Sequence, residues 1–65
     1  MTPRTLKLAR VAMRFTQREL GRAIGVDANS IWRMEHGQQK ITERTALQVR
    51  MLRNLQQGFQ KKEGA

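Results

Sequence analysis

No cysteine occurs in the 65 residues, so neither a disulfide nor a thiolate zinc site can staple the fold. Proline occurs once, at position 3, and nothing alternates with period two, so no strand signal is present. Apolar runs stop at two or three residues, which excludes a membrane-spanning segment. The opening Met1-Thr2-Pro3-Arg4 lacks the apolar core of a signal peptide, so the cytoplasm is the expected location. Carboxylates are scarce, with five Asp and Glu in all, and there is one histidine. Without cysteine or a phosphate-cradling glycine loop, that inventory argues against an enzyme, a metal site or a cofactor. Beyond Trp32 there is no aromatic platform of the kind that stacks RNA bases.

What is abundant is positive charge. Thirteen Lys and Arg against five acids give a net charge of +8 and a pI near 11.7. Such a surface attracts a polyanion. A solvated surface with a positive bias, or attraction to anionic lipid, would give the same balance. The length allows one domain at most, and a chain this short buries only ~60% of its unfolded surface. Tight helix packing, dimerisation or ligand binding must supply the missing stability.

Local signals divide the chain into four helices. Thr2-Pro3 is an N-cap followed by proline at the first helical position. Leu6, Ala9 and Met13 then recur at helical spacing, placing helix 1 at about residues 3–13. Thr16-Gln17-Arg18-Glu19 is a capping box, with Phe15 and Leu20 available as a hydrophobic staple. Leu20, Ala23 and Ile24 form the apolar stripe of helix 2, and Gly25 ends it in a left-handed conformation. Asp27 caps helix 3, which carries Ile31, Met34 and Glu35 on one face and stops at Gly37. Thr42 caps helix 4, which runs to about Gln57 with Gly58 as its stop. The expected class is all-α, a four-helix domain with room for a fifth short turn. Residues 1–58 form the domain, with the two-helix unit at 16–37 and helix 4 at about 42–57. Residues 59–65 are a basic, flexible tail.

The order Thr-Gln-x-x-Leu-Gly-x-x-x-Gly-Val-Asp-x-x-x-Ile-x-x-x-Glu-x-Gly over residues 16–37 resembles the phage repressor and Cro family of helix-turn-helix proteins. The resemblance extends from residue 4 to about residue 56. It implies a sequence-specific regulator that binds double-stranded DNA, usually as a dimer on an inverted repeat. Two positions depart from the family pattern. Arg14 stands where glycine is frequent, so the turn out of helix 1 is expected to take a different shape. Gly21 stands where alanine is usual, and a close approach of helix 2 to helix 3 is the expected reason.

At ~100° per residue, Asn29, Arg33 and His36 lie opposite Ile31, with Ala28 and Trp32 at the boundary. Asn29 and Arg33 are the main candidate base readers, since asparagine matches adenine and arginine matches guanine O6 and N7. Ala28 offers its methyl to a thymine methyl. Outside this motif the same residues would be ordinary solvated helix positions. Trp32 either packs on the domain surface or stacks on a sugar or thymine methyl beside the groove. His36 makes a phosphate contact at the rim or none. Gln17 opens helix 2, where free backbone N–H groups attract anions. The resemblance implies that Gln17 binds a phosphate and buttresses Asn29. Ser30 serves either a phosphate or the Asp27 cap. Gln38, Lys40 and Arg44 complete the candidate phosphate contacts around the following loop. The resemblance also implies a partly buried ion pair between Arg10 and Glu35.

Helix 4 carries Leu47, Val49, Met51, Leu52, Leu55 and Phe59 over about 200° of its wheel. A single core needs a stripe only somewhat wider than ~100°. The surplus points to a homodimer, with Met51, Leu55 and Phe59 outward and Leu47, Val49 and Leu52 inward. A domain that wraps both sides of helix 4 would also account for it. The leading expectation is a dimeric repressor of the kind carried by phages or mobile elements, acting on DNA with no small-molecule ligand. The alternative is an antitoxin-like interaction module that retains the helix-turn-helix.

Overall fold

Each helix begins where a short polar side chain can accept a backbone N–H that has no partner inside the helix. The computed structural model describes the backbone of residues 1–64 and the side chains of residues 1–56. Its helices are α1 (Pro3–Ala12), α2 (Gln17–Ile24), α3 (Ala28–Glu35) and α4 (Glu43–Gly64). Thr2 accepts from the amide of Thr5 at 3.1 Å, Asp27 from Ser30 at 3.1 Å and Thr42 from Thr45 at 3.2 Å. At α2 the capping box is complete in both directions, Glu19 N–H to the Thr16 hydroxyl and Thr16 N–H to the Glu19 carboxylate. Among the described residues the chain is all-α, with no strand.

The helix ends position α3. Gly25 sits at φ 80° and closes α2 with a left-handed residue, which glycine adopts without a Cβ penalty. Gly37, at φ 73°, closes α3 through bonds from Gly37 N–H to the Met34 carbonyl and from Gln38 N–H to the Arg33 carbonyl. The same pattern ends α1, but its left-handed residue is Arg14, at φ 60°. Arg14 N–H meets the Val11 carbonyl at 2.9 Å and Phe15 N–H meets the Arg10 carbonyl at 3.1 Å. The expectation of a differently shaped turn is therefore corrected. Arg14 takes the conformation that glycine would take, and the two bonds offset strain of ~1–2 kcal/mol.

Gly21 answers to packing rather than to backbone freedom. A Cβ there would collide with the carbonyl oxygen of Val26 and crowd the backbone of Asp27. The obstruction comes from the turn leading into α3, so α2 and α3 can approach closely only with glycine at this point.

The core is built from Leu6, Ala9 and Met13 of α1 and its C-cap, Leu20 and Ile24 of α2, Ile31 and Met34 of α3, and Val49 of α4. Phe15, Val26, Ile41 and Leu52 close it from the sides. α3 packs on α2 and α1, while α4 packs on α1 and α2. Two expectations for core faces fail. Ala23 is exposed, at the margin of the stripe formed by buried Leu20 and Ile24. Leu47 is 53% exposed, because ~100° steps place it with Met51 and Leu55, opposite buried Val49.

Gly58 does not end the last helix, which continues to Gly64. One helical glycine costs only ~1 kcal/mol, and the glutamines and lysines around it are good helix formers. The expected stop at Gln57 and the separate tail from residue 59 are corrected to this longer helix. No fifth helix occurs among the described residues. No described helix is long and apolar enough to cross a membrane.

Candidate nucleic-acid interface

The exposed face of α3 is defined by what its other face buries. Ile31 is fully buried and Met34 nearly so. That fixes the rotation of an eight-residue helix capped at both ends. Asn29 and Arg33, one turn apart, are exposed on the opposite side, and Ala28 is half-buried beside them. Asp27 remains at the start of α3 as a cap. Hydrogen bonds from the Ser30 hydroxyl and amide hold its carboxyl below the ordinary value of 3.8. The Ser30 amide donates to the Asp27 carboxylate at 3.1 Å, which makes the cap contact.

Glu35 is an acid on a helix of a strongly basic chain, and its charge is neutralised inside the protein. Its side chain is only 1% exposed. Arg10 Nε donates to Oε2 at 2.6 Å and Arg10 Nη2 to Oε1 at 3.2 Å. The remaining arm of the guanidinium donates from Nη1 to the Phe15 carbonyl at 2.9 Å. The fork therefore ties α1 to α3 and to the turn before α2. This geometry is better satisfied and more buried than an ordinary surface pair, and carboxylate and guanidinium are matched arm for arm.

Gln17 joins the same cluster. Its Nε2 donates to Glu35 Oε1 at 3.2 Å, and it reaches this carboxylate instead of buttressing Asn29. A buried carboxylate accepts several hydrogen bonds, and Gln17 supplies one that Arg10 alone leaves open. The expected Gln17–Asn29 contact is therefore corrected. Gln17 is half-buried at the start of α2, between exposed Thr16 and Arg18.

Trp32 and His36 form a unit that the separate readings of these residues missed. Their rings stack with centroids 3.9 Å apart and planes 17° from parallel. Trp32 is 40% exposed and His36 exposed. The signal was their spacing of four residues, which places two planar side chains on one helix face. Gln38, Lys40 and Arg44 are all exposed around the loop and the start of α4. Phe59 lies outside the described side chains, whereas Met51 and Leu55 are 56% and 71% exposed.

Among the described residues no group of His, Asp or Glu is placed to hold a metal ion. The chemistry on offer is recognition: an amide, a guanidinium and an aromatic stack on one helix, ringed by cations. A family model described as helix-turn-helix matches residues 6–49, more than half of the chain. No curated protein and no solved structure gives a match.

Proposed function

The chain belongs to the XRE/Cro-like helix-turn-helix DNA-binding family, a family of regulators that are typically not enzymes, and from that premise we propose a sequence-specific repressor that binds as a dimer to an inverted repeat. The observation that carries the reading is the pairing of exposed Asn29 and Arg33 opposite buried Ile31 and Met34. These side chains match the edges of adenine and guanine in the major groove. Trp32 and Ala28 supply apolar contact to thymine methyls or sugars. Gln17, His36, Gln38, Lys40 and Arg44 hold the phosphates, fix the register and supply the salt-dependent part of the affinity. Ser30 contributes to the cap first and to phosphate only through what its hydroxyl can still offer.

A dimer is supported by α4. Leu47, Met51 and Leu55 recur every four residues on its exposed side, at 53%, 56% and 71% exposure. A second copy of the same stripe would cover them with an isologous contact. Two copies of α3 would then meet successive major grooves about 34 Å apart, with half-sites ~10 bp apart centre to centre. Occupancy of a promoter is sufficient for repression and asks for no further ligand.

Selection of bound sequences from a random duplex pool tests the proposal. An imperfect inverted repeat should be enriched. On that duplex, Arg33→Ala should relax preference at one base position, losing ~1–3 kcal/mol of discrimination. Lys40→Ala should weaken all sequences alike and flatten the salt slope. Indistinguishable variants would remove the division between base and phosphate roles.

A further inference from the structure

We infer that His36 meets a DNA phosphate only as an imidazolium, so that each subunit takes up a proton at this residue when it binds DNA; the inference rests on the α3 docking proposed above. His36 Nδ1 lies 2.9 Å from the backbone carbonyl oxygen of Trp32. A carbonyl oxygen offers only lone pairs, so Nδ1 must carry the hydrogen and donate it. Stacking on Trp32 holds the ring in this orientation. The other ring nitrogen, Nε2, is then a lone-pair acceptor whenever the ring is neutral. A phosphate oxygen is also only an acceptor, so neutral His36 has nothing to give it. One added proton turns Nε2 into a donor and makes the contact charge-assisted. Moving the existing proton from Nδ1 to Nε2 instead would break the bond to Trp32.

Charges of both signs lie around this end of α3, where the negative end of the helix dipole favours a cation such as the imidazolium. Arg33 lies three residues earlier on the same helix. Glu35 is the neighbour in sequence, but its carboxylate is taken up by Arg10 of α1 and Gln17 of α2. Met1, which carries the α-amino group, lines a cleft with Gly37, Gln38, Gln39 and Lys40, just beyond His36. From α4, Glu43 borders a second cleft that also contains Met1.

The test measures binding of the enriched duplex at constant salt, from about pH 5.5 to 8, the range in which imidazoles change charge. Wild type is compared with His36→Gln, which keeps an uncharged donor, and with His36→Ala. Far-UV circular dichroism checks that all three are folded. Wild-type affinity should fall as pH rises, by up to tenfold per pH unit for each proton taken up, and so by up to a hundredfold for a dimer with one proton per subunit. Both variants should lose this component of the slope. Emission from Trp32, quenched when the stacked imidazole is charged, gives a second readout. Its midpoint should move to higher pH when the duplex is bound. The inference is overturned by a flat wild-type profile, by equal slopes in wild type and His36→Gln, or by affinity that rises with pH. The last result would mean that neutral Nε2 accepts from a base amine. Tight sequence-selective binding without pH dependence would remove the proton linkage alone. A pool that yields no preferred duplex would overturn the DNA-reading role of α3 and this inference with it.

Discussion

Glu35→Gln strands the Arg10 guanidinium in the place where three helices meet. Glu35 is 1% exposed and Arg10 13%, so little solvent is available to replace the lost charge. Breaking a buried pair by removing one partner costs ~3–5 kcal/mol. Arg10 keeps its bond to the Phe15 carbonyl, and a glutamine still offers one acceptor, so the expected loss sits near the low end, about 3 kcal/mol. The new amide also turns donors toward the donors of Arg10 and Gln17, which keeps the loss from being smaller. In a domain of this size each kcal/mol moves the melting temperature by ~4–8 °C, so a fall on the order of 12–24 °C is expected. That is a large share of a total stability of roughly 3–10 kcal/mol. Thermal and urea unfolding by circular dichroism measure it, with an unchanged urea slope showing that the same transition is followed. Glu43→Gln, an exposed change in the first turn of α4, is the control and should cost less than about 1 kcal/mol. At low temperature, where the variant is folded, DNA affinity should drop less than stability does, since Glu35 is buried against Arg10 and Gln17. A Glu35→Gln melting temperature equal to that of wild type, or to that of the control, would refute the reasoning.

Four further changes test other parts of the fold. Arg14→Gly relieves the left-handed strain at φ 60° and should stabilise by roughly 0.5–1 kcal/mol after glycine's own entropy cost, read as a higher melting temperature. Gly21→Ala should destabilise by ~1–3 kcal/mol in the same assay, despite alanine's better helix propensity, because its Cβ meets the Val26 carbonyl. Asp27 has a lowered pKa in the native state, so its carboxylate contributes stability that is present above pH 3.8 and is lost as pH falls through the folded value. Asp27→Asn should therefore lose less stability than wild type between pH 5 and pH 2 in acid titrations followed by circular dichroism. Leu55→Glu places a charge in the exposed α4 stripe and should shift the sedimentation of the proposed dimer to that of a monomer while leaving circular dichroism intact.

The starts of the helices were legible because capping is local. Thr2, Thr16, Asp27 and Thr42 bond amides three residues away, and the residue types alone announce this. Burial of Leu6, Leu20 and Ile31 followed from helical spacing. The Arg10–Glu35 pair spans 25 residues, and only the family resemblance implied it. Arg14 was illegible because its conformation is imposed by the hydrogen-bonded closure of α1 onto the Val11 and Arg10 carbonyls, against its own preference. Leu47 was misplaced because α4 is apolar over too wide an arc for spacing alone to choose the buried side. The Gly58 stop failed because one weak residue was outweighed by the helix formers around it. Only the family resemblance tied Gln17 to Asn29, whereas in the structure its amide donates to the buried Glu35 carboxylate. The Trp32–His36 stack needed the actual side-chain torsions, since residues four apart on a helix do not always touch.

Nitrogen-labelled protein titrated with the enriched duplex tests the central claim at the atoms concerned. The side-chain amide of Asn29 and the guanidinium Nε–H of Arg33 should show the largest shifts, and both should gain contacts to base protons of the major groove. Shifts confined to α1 and α4, with the Asn29 and Arg33 signals unmoved, would contradict the account.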